Sequence, residues 1–371
     1  MGIKPSSLRS PRSSPATEGC GASVLLPHDV VFDILSWVPV KSVCRFKSVC
    51  RDWRDLISDP AFVAAHRARG EPLLAIAANS CSEQSAVRLT DMDGNIIKVI
   101  EYAGSILRFF CSNPGNLICV VGYGLGKATV LNLATGETIV VCHKDQFMGF
   151  GRAAPSGIYK MVCISPRTCA ILTVGDGVGW RQTQPLPRYS TTSISYSSRP
   201  VEVRGVMYFM LHPQLNGDSV ICFDLESEEW KGTIKGPPEP DIQVQLHRGW
   251  TDNTLRELNG ALCMLQHKVG KMSIWLLVDS RRKGEGVWIK VYSIPVDPSA
   301  YSPIMPLRIL PDNGKLLLYN TLKFEEFGVL QIYDPRNRTF TDTHKMLSAD
   351  NAGCVALCSL HLDTFLPAKV D

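Results

Sequence analysis

Residues 25–57 read LLPHDVVFDILSWVPVKSVCRFKSVCRDWRDLI, and this stretch decides how the first part of the chain folds. Pro27 suits the first position of a helix, where its missing N–H costs nothing. Asp29 and Asp33 sit toward the positive end of that helix. Val30, Val31, Ile34, Leu35 and Val38 recur at helical spacing as an apolar stripe. Pro39 stops the helix and pushes Val38 toward extended geometry. A second helix is predicted from about Lys41 to Cys50, with Val43, Phe46, Val49 and Cys50 along one side. Trp53, Leu56 and Ile57 follow, three and four apart. Asp59-Pro60 reads as an N-cap and a first-turn proline opening a short helix through about Ala68. A helical unit of about 45 residues is near the lower limit for an independent core. Its surplus apolar surface needs a partner.

These residues resemble an F-box. The family pattern is met by Leu26-Pro27, Asp29, Ile34-Leu35, Val38-Pro39, Lys41-Ser42, Arg45-Phe46, Val49-Cys50, Trp53 and Leu56-Ile57, with His28 and Trp37 as departures. The resemblance implies docking on the Skp-type adaptor of a cullin-based SCF ubiquitin ligase. The docking residues it implies are Leu26, Pro27, Ile34, Leu35, Val38, Pro39, Val43, Val49, Cys50 and Trp53.

The chain has 371 residues, enough for two or three domains. An apolar content of 45% suits a globular protein with a sizeable core. A net charge of +4 is small over this length and gives no reason to expect nucleic acid or membrane as the main partner. No apolar run approaches the ~20 residues of a membrane-spanning helix, and no secretory apolar region lies near Met1. The thirteen cysteines are scattered and mostly sit in apolar runs, which suits buried, reduced thiols in a cytoplasmic or nuclear protein. Residues 1–23, rich in Ser, Pro and Gly, read as a disordered basic tail. Ser10-Pro11 and Ser14-Pro15 in it suit proline-directed kinases.

From about Leu73 onward, short β-rich runs alternate with Gly, Asn, Asp and Pro clusters. Six runs share a layout in which an apolar strand meets an Asx residue, a polar turn follows, and a bulky or β-branched residue returns. The pairs are Asp91 with Ile97, Asn132 with Thr138, Asp176 with Trp180, Asp224 with Trp230, Asp279 with Trp288 and Asp334 with Phe340. The Asx side chain starts the turn by accepting backbone N–H groups, and the later residue is expected to pack on the sheet. The anchors fall 41, 44, 48, 55 and 55 residues apart. Periods near 40–50 with a strand–turn–strand core mark β-propeller blades. The expected fold is therefore α+β and multidomain: an all-α unit of three to four helices over 24–68, then an all-β propeller of about six blades over 69–371. The strand from Val355 to Leu360 is expected to pair with that from Leu73 to Ala77 and close the ring.

The same region resembles the plant F-box-associated interaction domain, described as propeller-like or kelch-like. The resemblance rests on Asn116-Leu117-Ile118-Cys119, Leu131–Glu137, Gly149-Phe150-Gly151 with Tyr159-Lys160-Met161-Val162, and Phe223-Asp224-Leu225 with Glu228-Glu229-Trp230. Leu258–Leu262, Ile274–Leu277 and Tyr333-Asp334-Pro335 complete it.

Catalytic signatures are missing from the sequence. Gly122–Lys127 is glycine-rich, but a strand rather than a helix follows, so it reads as a β-turn and not a phosphate loop. The eight histidines lack metal-ligand spacing, Cys354 and Cys358 suit a core strand, and no Gly-x-Ser-x-Gly elbow occurs. Lys41, Arg45, Lys47, Arg51 and Arg54 are nearly balanced by Asp29, Asp33, Asp52 and Asp55, against a DNA-reading helix. The expectation is a non-catalytic ligase receptor without cofactor, partnered by a Skp-type adaptor, through it a cullin, and an unknown target. Loops 181–200 and 236–254 are the expected target surfaces, with Arg188, Tyr189, Arg248 and Trp250 as contacts. The alternative is a propeller-based ligand-binding protein or enzyme that acts without the ligase.

Overall fold

The computed structural model describes residues 26–358 apart from 39, 70–71, 79–83, 105, 112–116, 123–125, 134, 143–146, 165–167, 186–193, 195–198, 212–218, 239–252, 269, 280–285, 297–303, 322–326 and 348–354. Four helices come first: α1 (His28–Ser36), α2 (Val40–Phe46), α3 (Arg51–Ser58) and α4 (Pro60–Arg69). Two boundaries differ from expectation. Pro27 is the N-cap of α1 rather than its first residue, and its carbonyl accepts from Val30 and Val31. The second helix ends at Phe46, because Cys50 caps α3 instead of continuing α2: its Sγ accepts the N–H of Trp53 at 3.4 Å. Arg54 Nε donates to the carbonyl of Lys47 at 3.2 Å in the turn between them. Asp59 caps α4 as expected, its Oδ1 accepting from Ala61 at 2.7 Å and Phe62 at 3.4 Å.

Six four-stranded antiparallel sheets follow. Blade 1 holds β1 (Leu73–Ala78), β2 (Gln84–Thr90) and β3 (Ile96–Ala103). Blade 2 holds β4 (Ile106–Cys111), β5 (Leu117–Gly122), β6 (Lys127–Asn132) and β7 (Thr138–Cys142). Blade 3 holds β8 (Phe147–Arg152), β9 (Tyr159–Ile164), β10 (Cys169–Thr173) and β11 (Arg181–Thr183). Blade 4 holds β12 (Val201–Val203), β13 (Val206–Met210), β14 (Val220–Asp224) and β15 (Glu229–Ile234). Blade 5 holds β16 (Thr254–Leu258), β17 (Ala261–Lys268), β18 (Lys271–Asp279) and β19 (Gly286–Pro295). Blade 6 holds β20 (Ile304–Ile309), β21 (Leu316–Thr321), β22 (Phe327–Asp334) and β23 (Thr339–Leu347). The last strand, β24 (Val355–Cys358), returns to blade 1 and pairs with β1 in the register Leu73↔Cys358 to Ile76↔Val355. Blade 1 is thereby built from both ends of the propeller sequence.

A blade is buried on both faces, which explains the continuous apolar runs. In β9, Tyr159 and Met161 join the core shared with blade 2, while Val162 and Ile164 join that shared with blade 4. Six such cores each lie between two neighbouring blades, and the one formed by Leu74, Ile76, Met305, Leu317, Tyr319 and Leu330 joins blade 6 to blade 1.

Every predicted Asx anchor lies at the turn between the third and fourth strands of its blade. Asp224 Oδ1 accepts from Glu226 and Ser227 at 2.9 and 3.0 Å, and Asp91, Asp176 and Asp334 act alike. Asn132 Oδ1 reaches the N–H of Thr135 at 3.3 Å. The returning residues divide. Trp180, Trp230, Trp288 and Phe340 pack against inter-blade cores, whereas Ile97 and Thr138 are exposed, contrary to expectation. Gly122 ends β5 and Lys127 opens β6, so the glycine-rich stretch is a strand–strand connection. Among the described cysteines none forms a disulfide, and Cys119, Cys163, Cys169, Cys222 and Cys263 are buried, with Cys50 and Cys142 exposed. Burial pushes the thiols of Cys169 and Cys222 up to about 12.

Candidate docking site

The helical unit has its own core of Leu35, Val43, Leu56, Ile57 and Phe62. Around it pack Val31, Phe32, Val38, Phe46 and Trp53, with edge-to-face contacts between Phe32 and Phe62 (5.2 Å) and between Phe46 and Trp53 (5.5 Å). The buried His66 has Nε2 2.8 Å from the carbonyl of Val38, tying α4 to the end of α1. Arg69 adds an ion pair to Asp33 at 2.8 Å and a hydrogen bond to the hydroxyl of Ser36, and its guanidinium lies 4.8 Å from the Trp37 ring centroid.

Helix α1 and the residues flanking it carry two apolar stripes. Val31, Leu35 and Val38 turn inward. Leu26, Val30, Ile34 and Trp37, spaced four, four and three residues apart, turn outward and are 53%, 41%, 51% and 68% exposed. Val49, 60% exposed, and Cys50 form a second outward patch at the turn between α2 and α3. Burying aliphatic and aromatic side chains of this size is worth about 1.5–3 kcal/mol each. These side chains are about half exposed, so a partner with a matching groove gains a corresponding share of that from covering them.

The ten expected docking residues separate accordingly. Leu26, Pro27, Ile34, Val49 and Cys50 are exposed, and Val38 and Trp53 are half-buried. Leu35 and Val43, 2% and 0% exposed, hold the helices together and offer no surface without repacking. Pro39 lies outside the described residues, as do Arg188, Tyr189, Arg248 and Trp250 of the expected target surface. Val30 and Trp37 belong to the outward stripe although the expected docking set omits them. The signal was the spacing 26, 30, 34, 37, which lies one residue out of phase with the inward stripe.

On the propeller, a cavity of about 340 Å³ opens beside the inner-strand turns of blades 3, 4 and 5, lined by Arg152, Ala154, Glu202, Arg204, Glu257 and Gly260. Its carboxylates staple those turns: Glu202 accepts the N–H of Gly205 at 2.8 Å, and Glu257 that of Gly260 at 2.5 Å. Among the described residues, no three His, Cys, Asp or Glu side chains are placed to hold a metal ion, and no helix is long and apolar enough to cross a membrane.

The sequence matches the F-box associated beta propeller domain over residues 77–352 and the F-box domain over residues 24–64. F-box protein At5g10340 of Arabidopsis thaliana is 24% identical over 85% of this chain and 80% of its own length. Probable F-box protein At1g14315 of the same organism is 27% identical over 85% of this chain and 90% of its own length. Among solved structures, TolB from Acinetobacter baumannii is similar at 12% identity over 83% of this chain and 72% of that one, with a TM-score of 0.47.

Proposed function

Because the chain belongs to the F-box associated β-propeller family, we propose that it is the substrate-recognition subunit of an SCF-type ubiquitin ligase. The F-box docks on a Skp-type adaptor and through it on the cullin, and the propeller holds a target protein for ubiquitination in the cytoplasm or nucleus. The observation that carries this reading is the outward stripe of Leu26, Val30, Ile34 and Trp37 on an F-box whose core is already complete. The chain acts without catalytic groups of its own. Its contribution to rate is proximity, holding target and conjugating enzyme in one assembly.

The test is co-purification of the full-length chain with a Skp-type adaptor, beside a Leu26→Asp, Ile34→Asp double variant. Both positions are exposed, so near-UV circular dichroism and the melting temperature should match the wild type. A Leu35→Asp variant is unsuitable, because it places a charge in the helical core. Recovery of adaptor by the wild type and its loss in the double variant is the expected result. Recovery by neither, with both proteins folded, removes the ligase reading.

A further inference from the structure

The outer strand of blade 5 differs from the other five outer strands. At ten residues, β19 is the longest of them, and it ends its sheet, so one backbone edge pairs with no strand among the described residues. Val287 and Ile289, two residues apart on one face, are 52% and 48% exposed; Val291 is exposed as well. Val278 on β18, opposite Val287 in the register, extends the apolar patch. A long apolar edge of this kind is a template for another strand.

Among the described residues of β17, β18 and β19 the charge is mostly basic. Lys290 lies on β19 with its ammonium 5.2 Å from the Trp275 ring centroid. Lys268 and Lys271 flank the β17–β18 turn near enough to hold the Lys290 ammonium below its ordinary pKa, after the larger effect of desolvation. β17 and β19 contain no Asp or Glu, and β18 has only Asp279, at its far end. The outer strand β3 also exposes Ile96, Ile97 and Val99, but there Lys98 Nζ donates to the carbonyl of Leu133 at 3.1 Å and Glu101 balances the charge. The outer strands β15 and β23 carry acids of their own, Glu229 and Asp342.

We propose that the free edge of β19 takes an extended segment of the target protein as a fifth strand of blade 5, and that this segment alternates apolar with acidic side chains. Its backbone pairs with the edge. Its apolar side chains cover Val287 and Ile289, and its carboxylates meet Lys290 and Lys271. The identification of the occupant as target rests on the receptor reading above.

The probe is a fluorescein-labelled decapeptide of alternating valine and glutamate, titrated by anisotropy against the full-length chain. Controls are the same peptide with two central valines replaced by proline, which keeps its charge but cannot pair along a strand, and the Lys290→Glu and Val287→Glu, Ile289→Glu variants. The expected result is binding at least tenfold weaker for the proline peptide and for each variant, with melting temperature and adaptor recovery unchanged. Equal binding of the proline peptide, or unchanged binding by both variants, overturns the proposal. Sedimentation of the peptide-free wild type as a dimer that the double variant abolishes also overturns it, since the edge then serves a second copy of this chain. Adaptor recovery is read separately: its failure with peptide binding intact removes the receptor reading and leaves a strand-pairing site.

Discussion

Asp91 Oδ1 accepts the N–H groups of Asp93 and Asn95 at 3.0 and 2.8 Å, and its Oδ2 accepts from Asn95 Nδ2 at 2.9 Å. The side-chain bond from Asn95 is the largest influence holding its carboxyl below the ordinary value. A carboxyl lowered in the folded state lends stability above its unfolded pKa and loses it as pH falls through the folded one. Asp91→Asn should therefore melt below the wild type at pH 7, and the gap should close on acidification below about pH 4; thermal melts across that range check this, and a constant gap refutes it. The fourth position after the anchor has a separate requirement. Gly136, Glu228 and Arg338 all adopt left-handed backbone there, with φ of 84°, 58° and 59°. For the exposed Arg338, relief of about 1–2 kcal/mol of strain outweighs the roughly 0.5–1 kcal/mol of extra chain entropy that glycine brings. Arg338→Gly should raise stability slightly, and Gly136→Ala should lower it, in urea titrations.

At the scale of elements, the tryptophans form a series of inter-blade ties. Trp180 of blade 3 donates to the carbonyl of Cys142 in blade 2 at 2.8 Å. Trp230 of blade 4 donates to Gln184, just past β11, at 3.1 Å, and Trp288 of blade 5 donates to Lys235, just past β15, at 2.8 Å. Each indole thus packs on a core and bonds to the main chain at the outer strand of the preceding blade. Trp230→Phe keeps much of the packing and loses the bond, at a cost of about 1 kcal/mol. Trp230→Ala should cost roughly 3–5 kcal/mol. Chemical denaturation of the two variants separates bond from packing, and equal losses would refute the division. Blade 6 places Phe340 at this position, which packs without an indole N–H to donate.

For the whole molecule, β24 decides closure. Truncation after residue 354 removes the partner of β1 and leaves the backbone of Leu73–Ile76 unpaired along that edge. Because each inter-blade core depends on two neighbours, loss of one seam weakens the ring beyond the lost strand. The truncated chain should melt well below any point variant above and aggregate through the open edge, as light scattering during a thermal ramp would report. A truncated chain that melts like the wild type would show that the seam between blades 1 and 6 suffices alone.

Local structure is legible in the chain alone. An Asx side-chain oxygen reaches only the next few N–H groups, so six anchors mark six outer hairpins, and their spacing gives the blade count. The caps at Asp59 and the turn after Asn132 are legible for the same reason. Burial is not local, and only the tertiary structure assigned it. Both stripes of α1 are apolar, and periodicity treats them alike; α4, through Phe62, His66 and Arg69, selects which faces inward and leaves Leu26, Val30, Ile34 and Trp37 outside. Ile97 and Trp230 sit at the same offset from their anchors, yet only Trp230 packs on an inter-blade core and bonds across to the neighbouring blade. The lysines near the β19 edge are gathered likewise: Lys268 and Lys271 are already neighbours across the β17–β18 turn, but only the pairing of β18 with β19 sets Lys290, far from them in sequence, on the same sheet.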